Sequence, residues 1–386
     1  MYIDDIFLMD DIFTQEREIE QKFNTVVTNV SYWDSSSQFQ NKMQQVLRLA
    51  EHSLPWNYYY TYSISERDRQ QVIKNLGVPM EAISNTMGLL LQSSTIAIVN
   101  TINLLTHLGK KKLCILQPAY FSVASCCTMF SLEYGFEQIL FHNGQVRLPF
   151  ERIFAGGYDC VWITSPIFCT GKYFEPWQIE RILQLKNAGL TLIMDESLAL
   201  PGKELVRSIP ITPEVLAIYS PHKAISINGL KFAVLVCNKC YEEFLEQWVD
   251  VFSGALASSN RDAVFHYISP NYRESCFPAY QSYIHETKAE VERIAEQFPE
   301  IYLLPNTEGH YISIFTSIRI NDVKHLIQIM RNVISGSQAS FIPGSLNGFS
   351  LEQGLCFRIN LTGDLSEVPE SVGRILTYLD CYGYEK

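Results

Sequence analysis

The chain has 386 residues, of which 47% are hydrophobic and 18% charged, and a formal net charge of −11. That length allows one large domain or two around a sizeable core, and the composition is ordinary for a globular protein. The negative balance argues against a nucleic-acid footprint, which needs clustered basic residues, and every apolar run breaks well short of the ~20 residues of a spanning helix, so no membrane partner is expected.

The N-terminal stretch MYIDDIFLMDDIF carries four aspartates and no basic residue, the wrong charge for a signal or transit peptide. Residues 1–55 read as polar and helical, with one helix over Gln38–His52. From residue 56 to about 270 two kinds of segment alternate. Leu113–Leu116, Cys160–Thr164, Leu190–Met194, Val215–Tyr219 and Phe232–Val236 are short apolar runs that read as buried parallel strands. Thr95–Leu108 and Pro176–Asn187 are helical patterns between them, and 241–270 adds helices. Such alternation predicts an α/β fold with a mostly parallel sheet. After residue 271 come a long amphipathic helix, Tyr280–Phe298, strand-like HYISIF and LCFRINL with a helix between them, and a last helix over Val368–Leu379. The expected division is an N-terminal arm (1–55), a large domain (56–270) and a smaller α+β domain (271–386) completed by residues from both termini.

The ten cysteines show no framework spacing, which points to a reducing, cytoplasmic compartment with free thiols. The single CxxC, Cys237 to Cys240, lacks the second pair of a zinc ribbon. It reads as two cysteines at the end of the strand-like run FAVLV, and no metal is expected.

In an open parallel sheet, ligands gather beyond the carboxyl ends of the strands. Those ends carry Asp195, Ser220-Pro221-His222-Lys223, Ser165-Pro166 with Thr170-Gly171, and Gln117-Pro118-Ala119-Tyr120. Ser93-Ser94-Thr95 precedes a helix. Each has an ordinary explanation alone: Lys223 as a solvated lysine, Asp195, Ser94 and Thr95 as helix caps, Tyr120 as core, Arg358 as half of a salt bridge.

Taken together, these residues resemble the class I/II aminotransferases, fold-type I enzymes that use pyridoxal 5′-phosphate (PLP), over roughly Tyr58 to Arg358. The family's Ser-x-x-Lys corresponds to Ser220 and Lys223. Its phosphate-binding basic residue, eight positions on and after a Gly-Leu, corresponds to Lys231. Its aspartate, 28 residues before the lysine, corresponds to Asp195, and its ring-stacking aromatic to Tyr120. The resemblance implies a Schiff base on Lys223 and a pyridine-nitrogen partner in Asp195. It implies phosphate contacts from Ser94, Thr95, Ser220 and Lys231, and a substrate-carboxylate clamp in Arg358. It also implies a homodimer whose partner phosphate is reached from Tyr58, Tyr59 or Tyr60; Tyr59 is carried as the candidate and the choice among the three stays open. Ser258 and Ser259 are similar candidates, and His310 is a candidate substrate contact.

Two departures stand out. The second asparagine of the family's Asn-Pro-x-Asn-Pro-Thr-Gly loop falls at Phe168, and the tyrosine often found three residues after the aspartate falls at Leu198. Both usual donors to the cofactor's phenolic oxygen are therefore missing, with His222 or Ser197 as candidate substitutes. The expected activity is an aminotransferase-like enzyme acting on an amino acid. The alternative is elimination, cyclisation or oxidation of an arginine-like amino acid in a natural-product pathway, with the acidic arm as lid or as plain packing. A non-catalytic relative is a further alternative, against which the joint presence of Lys223, Asp195 and Arg358 counts. A nicotinamide enzyme is weaker, since no GxGxxG follows a strand.

Overall fold

A computed structural model describes residues 2–32, 35–44, 65–142, 144–225, 228–254 and 256–384. Its centre is a seven-stranded sheet in the order Thr86–Leu91, Ala233–Asn238, Val215–Tyr219, Thr191–Glu196, Cys160–Thr164, Lys112–Gln117, Glu133–Gln138. The five strands from Val215–Tyr219 to Glu133–Gln138 pair in parallel. The expected strand near Phe232–Val236 exists, as Ala233–Asn238, but it is antiparallel to both neighbours. It was expected to be parallel; a strand buried on both faces is continuously apolar whichever way it runs, so its sequence carries no direction.

Burial on two faces is written along each strand. In Thr191–Glu196, Leu192 and Met194 face one core and Ile193 the other. In Val215–Tyr219, Val215, Ala217 and Tyr219 alternate in the same way with Leu216 and Ile218. Successive side chains point to opposite faces, and each fully buried aliphatic contributes roughly 1.5–3 kcal/mol. The helix Ser94–His107 covers one face with Ala97, Ile98, Ile102 and Leu105, while the helix Pro176–Asn187 places Ile182 and Leu185 in the opposite core.

A second, three-stranded antiparallel sheet joins Ile301–Leu303, Tyr311–Thr316 and Cys356–Asn360. The helices Phe277–Ala295, Val323–Ser337 and Glu367–Tyr384 accompany it. Val323–Ser337 buries Leu326, Ile329, Met330, Val333 and Ile334, the i, i+3, i+4, i+7 spacing of one helix face. Residues from the N-terminal side complete this unit. Thr28–Asn29 pairs in parallel with Ala339–Ser340, and the Asn360 amide donates to the Val30 carbonyl at 2.8 Å. Glu16, on the helix Tyr2–Phe23, is buried and accepts from Asn29 Nδ2 at 2.7 Å, from the Tyr32 hydroxyl at 2.8 Å and from the Ser340 hydroxyl. No helix among the described residues is long and apolar enough to cross a membrane.

Candidate active site

A cavity of about 260 Å³ opens at the carboxyl ends of the parallel strands. Ser94, Thr95, Tyr120, Asp195, Lys223 and Lys231 all line it, together with Ser93, His222 and His310. Residues separated by more than a hundred positions thus meet because strand ends and helix starts converge there.

The helix Ser94–His107 aims its first turn at this space. Ser93, not Ser94 or Thr95, is the N-cap: its hydroxyl accepts from the Ile96 amide at 3.3 Å. The hydroxyls of Ser94 and Thr95 are thereby released from capping, and their amides belong to the first turn, where backbone N–H groups have no intrahelical acceptor. Lys231 lines the same cavity, and a helix start and a lysine ammonium are both groups that suit an anion.

Asp195 is the penultimate residue of the strand beside the one that leads to Lys223. It is buried, and its Oδ1 accepts from the Ser197 amide at 3.2 Å. Burial raises its carboxyl above the usual range, opposed by Ser197, by Trp162 and by the charge of Lys223. Burial likewise pushes the Lys223 ammonium down, opposed by Asp195 and Cys169 and assisted by Lys231. Lys223 therefore has more neutral, nucleophilic amine at neutral pH than a surface lysine.

Phe168 and Leu198 are buried and form one apolar cluster with Cys169, Tyr311 and the ring of Tyr120. The Phe168 and Tyr120 ring centroids are 6.1 Å apart. The side of the cavity that lacks the two family donors is thus a hydrophobic wall. His222 and Ser197 both line the cavity. His222 Nδ1 lies 2.7 Å from the Phe232 carbonyl oxygen, and burial, with Lys223 and Lys231, brings its imidazole down to about 3, so it is neutral.

Two candidates stand off the cavity wall. The Ser220 hydroxyl is buried without a partner beside a much smaller pocket lined by Glu196, Tyr219, Tyr267 and Tyr272. Arg358 is buried with its guanidinium 5.4 Å from the Tyr311 ring centroid. Its Nε donates to the Ser31 carbonyl at 2.9 Å and its Nη1 to Asn347 Oδ1 at 3.2 Å. Tyr58, Tyr59 and Tyr60 lie outside the described residues, as do the side chains of Ser258 and Ser259. Sequence reasoning missed Ser35, Thr164, Asn228 and Thr362, which also line the cavity. Thr164 ends the strand paired with Asp195, and its hydroxyl is buried without a partner; its place at a strand end was the available signal. Ser35 and Thr362, whose hydroxyls are 3.0 Å apart, come from distant segments and left no local mark.

No protein-family model matches the sequence, and no curated protein matches it. Solved structures do match the fold. The kynurenine aminotransferase of Pyrococcus horikoshii superposes with a TM-score of 0.75 at 13% identity, over 95% of this chain and 94% of that one. The Escherichia coli protein YbdL, for which a methionine aminotransferase function is described, gives 0.72 at 12%, over 95% and 96%. Cystalysin of Treponema denticola, whose structure contains PLP, gives 0.73 at 17%, over 97% and 95%. The chain therefore has the α/β fold of the class I/II aminotransferases, the fold-type I arrangement.

Proposed function

We propose that this chain is a PLP-dependent enzyme that acts on an amino acid, with Lys223 as the anchoring amine. One observation carries the reading: Lys223, Asp195, Lys231 and the first turn of Ser94–His107 surround a single cavity at the strand ends. The residues fit the group at three points. The helix start and Lys231 suit its phosphate, Asp195 suits its ring nitrogen, and Tyr120 offers a face for its ring. The partnerless Thr164 hydroxyl is a further polar atom awaiting a ligand. PLP, when bound, supplies an electron sink for bond breaking at the carbon bearing the substrate amine.

The chain's own residues do the rest. Lys223 Nζ, whose charged form burial disfavours, would anchor the cofactor and, once released, move a proton to and from the substrate carbon. Asp195 would face the ring nitrogen and hold its proton in place. Arg358, whose guanidinium donates to the Ser31 carbonyl and Asn347 Oδ1, would be the clamp for the substrate carboxylate. Transamination is the leading reaction. Elimination, cyclisation or oxidation is the second reading, including the arginine-like substrate class, and the apolar wall of Phe168 and Leu198 favours it. The proposal extends to a homodimer in a reducing cytoplasm and to the division at residues 55 and 270.

Purified protein given PLP is expected to develop a visible absorbance band, and borohydride reduction followed by peptide mass mapping should place the cofactor on Lys223. No band with added PLP, or an unchanged band in Lys223→Ala, would sink the reading. A panel of amino acids then separates the reactions: pyridoxamine formation marks transamination, and loss of water with the amine retained marks elimination or cyclisation.

A further inference from the structure

His310 sits on the cavity wall immediately before the strand Tyr311–Thr316. Its Nδ1 lies 2.7 Å from the hydroxyl of Tyr280, a side chain with no exposed surface. Among the described residues that imidazole nitrogen is the only hydrogen-bond partner of the buried Tyr280 hydroxyl, and a buried hydroxyl proton needs an acceptor, so the phenol, kept protonated by burial, donates to it. Nδ1 is then the acceptor, and the single proton of a neutral imidazole must sit on Nε2. Neutrality follows from position: burial first, then the charges of Lys223 and Arg358, bring His310 down to about 3. Nε2 has no partner among the described residues and lies on the ring edge away from Tyr280. The cavity thus carries an uncharged donor of fixed tautomer, close enough to feel both the anchoring lysine and the carboxylate clamp. Of the described residues lining it, Asp195 alone is a carboxylate.

We propose that His310, set by Tyr280 as the Nε2–H tautomer, is a specificity-determining residue that donates to an uncharged oxygen acceptor on the substrate side chain, so that hydroxy- or carbonyl-bearing amino acids are preferred over apolar isosteres. The inference rests on the reading of this cavity as a PLP-dependent amino-acid site, and goes beyond it in naming the substrate class. A buried donor left without its acceptor penalises the wrong substrate strongly.

Two measurements test it. In cofactor-free protein with isotope-labelled histidine, long-range ¹H–¹⁵N NMR is expected to show His310 as Nε2–H, with the tautomers redistributed in Tyr280→Phe; a dominant Nδ1–H form overturns the proposal. In PLP-loaded protein, absorbance titrations compare serine with 2-aminobutyrate and homoserine with norvaline, each pair differing by hydroxyl against methyl. At least one pair is expected to differ by about tenfold or more, a typical hydrogen-bond contribution. His310→Leu should bring that ratio to within about twofold, and His310→Gln, which keeps an N–H, should restore part of it. No preference in either pair overturns the proposal, as does a preference that survives His310→Leu. A shift of the substrate-free absorbance titration in His310→Leu also overturns it, because it assigns the contact to the cofactor. Absence of any cofactor band in the wild type is a different failure: it removes the functional reading itself, and this inference with it.

Discussion

Asp195 and Glu196 are neighbours that face opposite sides of the sheet, as alternation along a strand demands. Asp195 lines the main cavity, and Glu196 lines the small pocket behind it, where it accepts from the Tyr219 hydroxyl and the Leu205 amide. Burial lifts Glu196 to about 8 from an ordinary value of 4.5. A carboxyl whose value rises on folding contributes stability that is complete below its unfolded value and is lost as pH climbs through the folded one. Thermal melts of the wild type should therefore weaken between about pH 4.5 and 8 in a component that Glu196→Gln abolishes; identical pH profiles would show the acid to be ionised. At Arg358, lysine keeps the charge but loses the fork that reaches Ser31 and Asn347. Arg358→Lys is expected to weaken amino-acid binding about 10–100-fold while leaving PLP affinity unchanged, as read by separate absorbance titrations.

At the scale of elements, the loop after Cys160–Thr164 couples the two sheets. Gly171 has φ +68°, and a Cβ there would stand 2.6 Å from the Tyr311 carbonyl oxygen and 2.8 Å from that of Glu308. Backbone cannot yield as a flexible side chain can. Gly171→Ala is expected to cost about 2–5 kcal/mol in denaturant unfolding, from left-handed strain plus overpacking. The Ser93 cap offers a milder test: Ser93→Ala should cost ~1 kcal/mol and weaken PLP binding through a frayed first turn. Element identity was largely legible in the sequence where burial is two-sided, as at Cys160–Thr164 and Val215–Tyr219. Two strands of the seven-stranded sheet escaped. Glu133–Gln138 is a polar edge strand bonded to one neighbour, and Thr86–Leu91 carries Gly88 in its interior. Several cavity-lining candidates, among them Lys223 and Asp195, were legible because backbone position near a strand end or helix start puts them there. Ser220 and Arg358 show where such reading stops: which way a side chain turns depends on partners supplied from elsewhere in the chain.

For the whole molecule, the described N-terminal residues from Glu16 to Ser36 are part of the frame rather than an appendage. Ser31 exchanges two hydrogen bonds with Arg358, through the Ser31 hydroxyl to the arginine carbonyl and through Arg358 Nε to the Ser31 carbonyl. The Ser36 amide donates to the Thr362 carbonyl at 3.0 Å. Deleting residues 1–36 is expected to lower the melting temperature and weaken amino-acid binding more than PLP binding. Equal loss of both, with the melting temperature unchanged, would assign this segment elsewhere.

The antiparallel strand Ala233–Asn238 also has a consequence in time. Among the described residues it is the only strand that links Thr86–Leu91 to the other five strands of the sheet. During synthesis the first of these strands leaves the ribosome early and then finds no edge to join until residue 238 has followed it, which at cellular elongation rates takes on the order of ten seconds. Until then Met87, Leu89 and Leu91, together with the apolar face of Ser94–His107, lack their final cover. The nascent chain thus presents a sticky N-terminal half, and the turn that would hold the phosphate is among the last parts of the large sheet to be locked in place.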